Sequence, residues 1–225
     1  HKWEACAGEG DSRGDADEAV LKTILHATDF SLGSDFAFAH ALRVGIAAKA
    51  RLTILLVHES TSSREWTQFA GVRTFLARWG MLPEGASRDS VSTLGVRIRK
   101  KSSKSKDPIR SIMRHLRKRT VDLIVVPCGP GGGFTRWAKK EVAGTLARRS
   151  HAMTLFVPEN PRGFVSLAEG KMDLSRILVA VDQRPDPQFT VDTTARFTDS
   201  LGCKEVEITL FHAGDEGGMP EVELH

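Results

Sequence analysis

The sequence is poor in cysteine and has no long apolar segment, and both shortages narrow the kind of protein that it can encode. It has only three cysteines, Cys6, Cys128 and Cys203, which are widely spaced and form no CxxC pair. This pattern argues against a disulfide framework and against a zinc site. No apolar run approaches the roughly 20 residues that a membrane-spanning helix requires. We therefore expect a protein of a reducing, cytoplasmic compartment without a membrane partner.

The common catalytic motifs are also missing. Without GxxxxGK[ST] and without GxGxxG after the first predicted strand, a Walker-type NTPase and a dinucleotide dehydrogenase are not expected. The absence of GxSxG, HExxH and any His/Cys ligand cluster argues against the common hydrolases and metalloenzymes. His58 and His212 lie at predicted strand ends, where we interpret them as packing or capping residues, and we interpret Cys128 as a buried thiol. The sequence predicts no catalytic residue and no metal site.

The composition is that of a globular protein with an uneven charge distribution. The residues are 40% hydrophobic and 27% charged. The length of 225 residues corresponds to about one and a half domains. Residues 159–225 contain 13 acids against 6 Lys or Arg, whereas residues 97–119 contain eleven Lys or Arg and the single acid Asp107. A solvated helix face explains this basic stretch better than a nucleic-acid surface, so we do not expect a nucleic-acid partner.

Strand and helix patterns alternate along most of the chain. Short apolar runs predict strands, and apolar residues at three- and four-residue spacing predict helices. The predicted strands cover 21–28, 52–57, the region around 96–98, 122–126 and 153–157, and the predicted helices cover 34–48, 64–79, a segment starting at Asp107-Pro108 and one through Leu146. Such alternation is typical of a doubly wound, Rossmann-like or flavodoxin-like α/β fold, here with a five-stranded parallel sheet in residues 20–158.

The remaining segments receive different interpretations. Residues 1–19 lack a signal-peptide pattern, and we expect a mobile, acidic leader there; residues 159–173 show no period and are predicted to be a linker. Residues 174–225 repeat the front of the domain. RILVAVD at 176–182 matches TILHATD at 23–29, and ITLFH at 208–212 matches ILLVH at 54–58, with offsets of 153 and 154 residues. We expect an incomplete second copy.

The carboxyl ends of the strands are the expected binding region. In an open parallel sheet, ligands bind there at the switch point, here expected between the first and fourth strands. The residues at the first two strand ends are Ala27, Thr28, Asp29 and Val57. Asp29 could accept hydrogen bonds from a ribose or a base, or it could cap the next helix, and the pattern leaves both possibilities open.

The glycine-rich segment after the fourth strand suits a phosphate. Gly131, Gly132 and Gly133 precede a predicted helix, and backbone amides at a helix start attract anions. A simple flexible connection would explain the glycines equally well. Gly144 lies inside the helix, where glycine costs up to about 1 kcal/mol and often marks a close backbone approach, and Thr145 adds a hydroxyl.

These segments together resemble the universal stress protein family. The resemblance rests on ILHATDFS, LLVHE, KDPIRSI, DLIVVPCG and the glycine segment before TLFVP. It covers about residues 20–158 as a whole domain and 174–213 as part of a second, which indicates a tandem type. It implies an adenine nucleotide alpha hydrolase-like fold, domain pairing through the last strand and, in one branch, ATP with Mg²⁺ at the strand ends.

The resemblance also assigns roles. Asp29 would contact ribose or adenine, the Val57 backbone would read the base edge, and Gly131 to Gly133 with Gly144 and Thr145 would hold the phosphates. The ATP-binding branch has G-x2-G-x9-G followed by Ser or Thr; Gly131 and Gly144-Thr145 fit, but Phe134 occupies the middle glycine position. The leading hypothesis is a stress-response protein that binds adenine nucleotide without being a dedicated enzyme. The alternative is a module that binds no nucleotide and serves dimerisation or protein interaction, and a homodimer or a pairing of the two repeats is expected.

Overall fold

A computed structural model of the chain describes residues 21–28, 34–58, 71–128, 140–150, 152–158, 163–184, 186–213 and 218–223, with side chains of the fifth helix described from residue 145 on. The chain divides into two compact units, and the first comprises Leu21–Met172. Its strands are β1 (Thr23–Thr28), β2 (Arg51–His58), β3 (Arg97–Lys104), β4 (Leu123–Cys128) and β5 (Met153–Pro158). Its helices are α1 (Ser34–Ala47), α2 (Val72–Arg78), α3 (Arg88–Ser92), α4 (Pro108–Leu116) and α5 (Lys140–Ser150).

The five strands form one parallel sheet in the order β3-β2-β1-β4-β5, which confirms the predicted fold class. The central strand β1 pairs with β2 from Thr23 opposite Arg51 to Thr28 opposite Leu56, and on its other side Ile24 lies opposite Leu123 of β4. From β1 the chain first forms β2 and β3 on one side of β1, and then β4 and β5 on the other side. This arrangement is the switch point that the strand pattern predicts.

The sheet is covered on both faces, as a parallel sheet requires. One face packs in a cluster with α4 and α5, formed by Leu25, Ala27, Leu55, Val57, Ile112, Ile124, Val126 and Leu146. Toward the opposite face, the ring of Phe38 in α1 lies 5.0 Å from that of Phe75 in α2 and 5.8 Å from His26 in β1. Both phenylalanines are fully buried. The core therefore consists of two layers separated by the strands.

Two elements differ from the sequence expectation. The segment after α2, for which the sequence pattern predicts neither a strand nor a helix, contains the short helix α3, where Ser87 is the N-cap and its hydroxyl accepts a hydrogen bond from the backbone N–H of Ser90 at 3.3 Å. The weak strand expected around 96–98 extends to Lys104 as β3. The cationic side chains of this strand need not be buried, because the strand lies at a sheet edge. Its sequence therefore lacks the apolar run that predicts a strand. The Asp107-Pro108 start of α4 is confirmed, since the Asp107 carboxylate accepts from the N–H of Arg110 at 3.0 Å.

Residues 163–172 pack against the helical layer of the first unit. The N–H of Val165 donates to Nε2 of His40 at 3.1 Å, Arg43 Nε donates to the carbonyl of Gly170 at 3.0 Å, and Trp79 Nε1 donates to the carbonyl of Leu167 at 3.2 Å. Burial lowers the pKa of His40, which favours the neutral ring that can accept this bond. Side chains of α1 and the residue that follows α2 therefore hold this segment through its backbone.

The second unit includes Asp173–His225 and has its own strand–helix–strand pattern. It contains β6 (Arg176–Ala180), α6 (Pro187–Ser200) and β7 (Glu207–Phe211), and β6 and β7 form a two-stranded parallel sheet. Its buried cluster consists of Val179, Val181 and Val191. Across the described ranges, no helix has the length and apolar character needed to cross a bilayer.

Candidate functional site

The end of β1 supplies the first part of the candidate site. Ala27 and Thr28 are both fully buried, and Ala27 packs in the cluster that faces α4 and α5. Side chains alternate along a strand, so Thr28 points toward the opposite face of the sheet. Asp29, the next predicted site residue, lies outside the described residues. Because the side chain of Ala27 is buried in the core, only the backbone of this residue could contact a ligand.

The end of β2 lies beside it. Val57 is 6% exposed and belongs to the same core cluster as Ala27. Its side chain therefore cannot act as a binding group, and a role in recognition would have to come from its backbone, as the sequence interpretation assumes. The neighbouring His58 is hydrogen-bonded through Nε2 to Oγ of Ser102 in β3 at 2.6 Å. This bond ties the imidazole to the strand next to it.

The β4 side of the site is described in part. β4 ends at Cys128, a half-buried cysteine that forms no disulfide among the described residues, and Gly131, Gly132, Gly133 and Phe134 fall in the part of the chain that is not described. Gly144 lies within α5, and Thr145 of the same helix is half-buried. The next residue, Leu146, is fully buried in the cluster that contains Ala27 and Val57. Packing of Leu146 thus fixes α5 against the strands whose ends form the candidate site.

The titratable groups of the described residues form no catalytic or metal-binding cluster. Within those residues, no group of three or more His, Cys, Asp or Glu side chains is placed to hold a metal ion. His26 is the most strongly perturbed: burial lowers its pKa to about 4, and its Nδ1 is hydrogen-bonded to the carbonyl of Val125 at 3.1 Å. Because His26 is fully buried in the sheet, it is a neutral structural side chain.

A cavity of about 1250 Å³ lies away from these strand ends. It is lined by α2, α3 and the first half of β3, and it shares no residue with the predicted site. Apolar spacing does not predict this cavity, because six of its lining residues are Arg or Lys and its lining comes from segments that are far apart along the chain.

One family model and several solved structures are similar to this chain. The family model described as the universal stress protein family matches residues 21–158. Among solved structures, a universal stress protein in complex with cAMP is 19% identical, covers 62% of this chain and 98% of its own, and has a TM-score of 0.44. A member of the family from Burkholderia pseudomallei is 20% identical, with 62% and 98% coverage and a TM-score of 0.39.

A universal stress protein from Archaeoglobus fulgidus is 10% identical, with 61% and 98% coverage and a TM-score of 0.40. A comparison with curated proteins finds no match. At these identities and TM-scores, the matches carry no inference about ligand or activity.

Proposed function

Because this chain belongs to the universal stress protein family, we propose that its first unit binds an adenine nucleotide at the carboxyl ends of β1, β2 and β4. The observation that carries the proposal is the strand order, in which β1 lies between β2 and β4. Helical connections diverge from such a point and leave a crevice beyond the strand ends, which is where ligands bind in open α/β sheets. The proposal thus follows from the topology together with the residue types at the strand ends.

The roles of the proposed site residues divide between base, ribose and phosphate. Ala27, Thr28 and Val57 form the floor, where the backbone of Val57 reads the edge of the base, and Asp29 accepts hydrogen bonds from the ribose or the adenine. Gly131, Gly132 and Gly133 hold the phosphates together with Gly144 and Thr145. Small residues permit the backbone amides to approach the phosphates closely.

The phosphates of a bound nucleotide would coordinate Mg²⁺, because this ion is usually held through phosphate oxygens and water rather than by a cage of protein ligands. The residues described at the site would leave coordination of the ion mainly to the nucleotide. We propose binding rather than catalysis as the function, since no described side chain is placed as a general base. On this proposal the chain is a nucleotide-responsive, cytoplasmic stress protein of tandem type.

The second unit favours a second candidate function, in which the chain serves as a protein-interaction module. Among its described residues, four large apolar side chains are exposed: Leu178 at 66%, Phe189 at 72%, Phe211 at 51% and Met219 at 47%. Contiguous exposed apolar surface marks interaction sites, and on this proposal these side chains contribute to one. Such contacts would pair two copies of the chain or the two repeats, and Phe134 in the glycine segment agrees with a loss of nucleotide binding.

Titration calorimetry separates the two functions. The full chain is first checked by mass spectrometry for nucleotide that has co-purified, and is then titrated with ATP and Mg²⁺, with AMP and with GTP. We expect adenine-selective binding in the micromolar range, which corresponds to about 8 kcal/mol. A folded, empty protein that binds none of the three would contradict nucleotide binding and leave the interaction module.

A pair of variants in α5 tests the placement of the phosphates. Gly144→Leu puts a side chain where the backbone is proposed to approach the nucleotide, and we expect a loss of affinity of at least about tenfold. Ala147→Leu enlarges a half-buried side chain one turn further along the same helix and serves as the matched control. Equal affinities of the two variants, with both folded by circular dichroism, would show that the phosphate site is misplaced.

A further inference from the structure

The basic stretch of residues 97–119 is divided between a sheet edge and a helix. Strand β3 lies at one edge of the described sheet and pairs there with β2, in register from Arg97 opposite Arg51 to Lys104 opposite His58. The only acid of the stretch, Asp107, uses its carboxylate to cap α4. The cations of β3 therefore have no acidic neighbour along their own segment.

The cavity beside this edge gathers cations from three separate elements. It has a volume of about 1250 Å³ and is lined by α2, α3 and β3, which we call the cationic groove. Six of the lining residues are Arg or Lys: Arg73, Arg78, Arg88, Arg97, Arg99 and Lys100. Against them stands one acidic lining residue, Glu84. Convergence of side chains from three elements on one concavity distinguishes the groove from a uniformly basic helix face.

Contacts within the wall hold two of these cations in place. Arg73 Nη1 donates to the carbonyl of Ala86 at 2.8 Å, and the guanidinium carbon of Arg78 lies 5.1 Å from the centre of the Phe75 ring. Each contact restrains a long side chain before any ligand arrives, which reduces the entropy lost on binding. Arginine also binds phosphate through two parallel hydrogen bonds.

The charges of the groove repel one another. Burial lowers the pKa of Lys100, and the nearby guanidinium groups of Arg88 and Arg73 lower it further. An anion with several charges would relieve this repulsion, because it would face all of these cations at once.

The floor of the groove is apolar but carries no aromatic side chain. Val72 and Val96 are buried there, and Val91 and Ile98 are half-buried. Proteins that bind single-stranded nucleic acid combine a basic groove with aromatic side chains on which the bases stack. The described lining lacks such a platform, which favours a compact phosphorylated ligand over a nucleic acid.

We propose that the cationic groove binds a small molecule that carries several phosphate groups, with the phosphates at the Arg and Lys side chains and a less polar body against the valine and isoleucine floor. This binding function is separate from the strand-end site, since the two share no described residue. It therefore stands or falls independently of nucleotide binding at β1 and β4.

The test uses inorganic tripolyphosphate as the probe, because it has the charges but neither a base nor a sugar. Calorimetric titrations compare the full chain with the double variant Arg88→Gln/Arg97→Gln, since both side chains are exposed in the groove. The charge-matched control is Arg110→Gln/Arg114→Gln, which removes two exposed cations of α4 outside the groove. Thermal unfolding confirms that both variants fold.

We expect the groove variant to lose at least about tenfold in affinity, since each lost bond joins two charged groups, and the control to lose less than about twofold. Affinity of the wild type should fall as salt rises from about 50 to about 200 mM. No binding of tripolyphosphate, no loss in the groove variant, or equal losses in both variants would overturn the proposal. Tighter binding of a single-stranded oligothymidylate than of tripolyphosphate would also overturn it and identify a nucleic-acid surface.

Discussion

The same strand–helix–strand pattern occurs twice in this chain, and its burial differs sharply between the two units. Leu25 in β1 and Leu178 in β6 are separated by 153 residues and hold the same place in the matching segments, yet Leu25 is 0% and Leu178 is 66% exposed. Val57 and Phe211 hold the same place at the second strand, with exposures of 6% and 51%. Similar strands therefore have different environments.

The difference comes from neighbours and not from the strands themselves. β1 has a strand on each side and helices over both faces of its sheet, whereas among the described residues of its unit β6 pairs with β7 alone and α6 is the one helix. A two-stranded sheet with one helix can cover only one of its faces. An apolar strand pattern thus predicts a strand without predicting how far that strand is buried.

The largest effect is expected from truncating the two equivalent leucines. Leu25→Ala removes a fully buried side chain from the core and should lower the free energy of unfolding of the first unit by about 2 to 5 kcal/mol. Leu178→Ala truncates a side chain that is 66% exposed and should change the stability of the second unit by less than about 0.5 kcal/mol. Hydrogen exchange followed by mass spectrometry measures both units in the same sample.

The two leucine variants are controls for each other, because the chemical change is the same. A cost above about 2 kcal/mol for Leu178→Ala would show that its side chain is covered in solution. Such a result would indicate that the exposed apolar side chains of the second unit contact a binding partner.

A smaller effect is expected from pH, since β1 has His26 where β6 has Val179. The folded pKa of His26 is about 4, below its ordinary value of 6.5. As the pH falls below about 6.5, His26 becomes protonated in the unfolded chain but stays neutral in the folded chain. The free energy of unfolding therefore falls until the pH nears 4. The contribution between pH 7 and pH 5 is about 2 kcal/mol.

His26→Val isolates this contribution by giving β1 the residue of β6. The variant loses the bond to the carbonyl of Val125, which lowers its stability by an amount independent of pH. Its stability should then fall less steeply than that of the wild type, although the buried ring of His40 still contributes in the same direction. Urea unfolding followed by tryptophan fluorescence measures the slope, and parallel slopes would contradict a buried, neutral His26.

The parallel sheet could be predicted from the sequence because its signals are local. Apolar runs such as 52–57 and the Asp107-Pro108 start are read from a few neighbouring residues. The switch point also follows, since alternating strands and helices permit few topologies. For the candidate site, the same reasoning places Thr28 and Val57 at strand ends but does not assign a ligand to them.

The cationic groove and the packing of residues 163–172 could not be predicted in this way. The groove joins Arg73 to Lys100, and the bond from Arg43 to the carbonyl of Gly170 spans 127 residues. Such contacts depend on which elements become neighbours in the fold, and nothing in the spacing of either segment indicates them. A buried apolar face produces a periodic pattern in the sequence, whereas long-range polar contacts produce none.

The smallest effect compares the caps of two helices that begin with Asp-Pro. Asp107 caps α4 through the N–H of Arg110, and Asp186 caps α6 through the N–H of Gln188, both at 3.0 Å. Replacing either aspartate by alanine should cost its helix about 1 kcal/mol. Asp107→Ala should cost more than Asp186→Ala at low salt, because it also removes the only acid among the cations of residues 97–119.

Salt separates the two contributions, since screening weakens repulsion between exposed charges but leaves the cap's hydrogen bond nearly unchanged. We expect the difference between the variants, measured by hydrogen exchange of the amides in each helix, to shrink as salt is raised. A difference that persists in high salt would mean that the α4 cap itself is stronger. The basic stretch would then contribute no repulsion around Asp107.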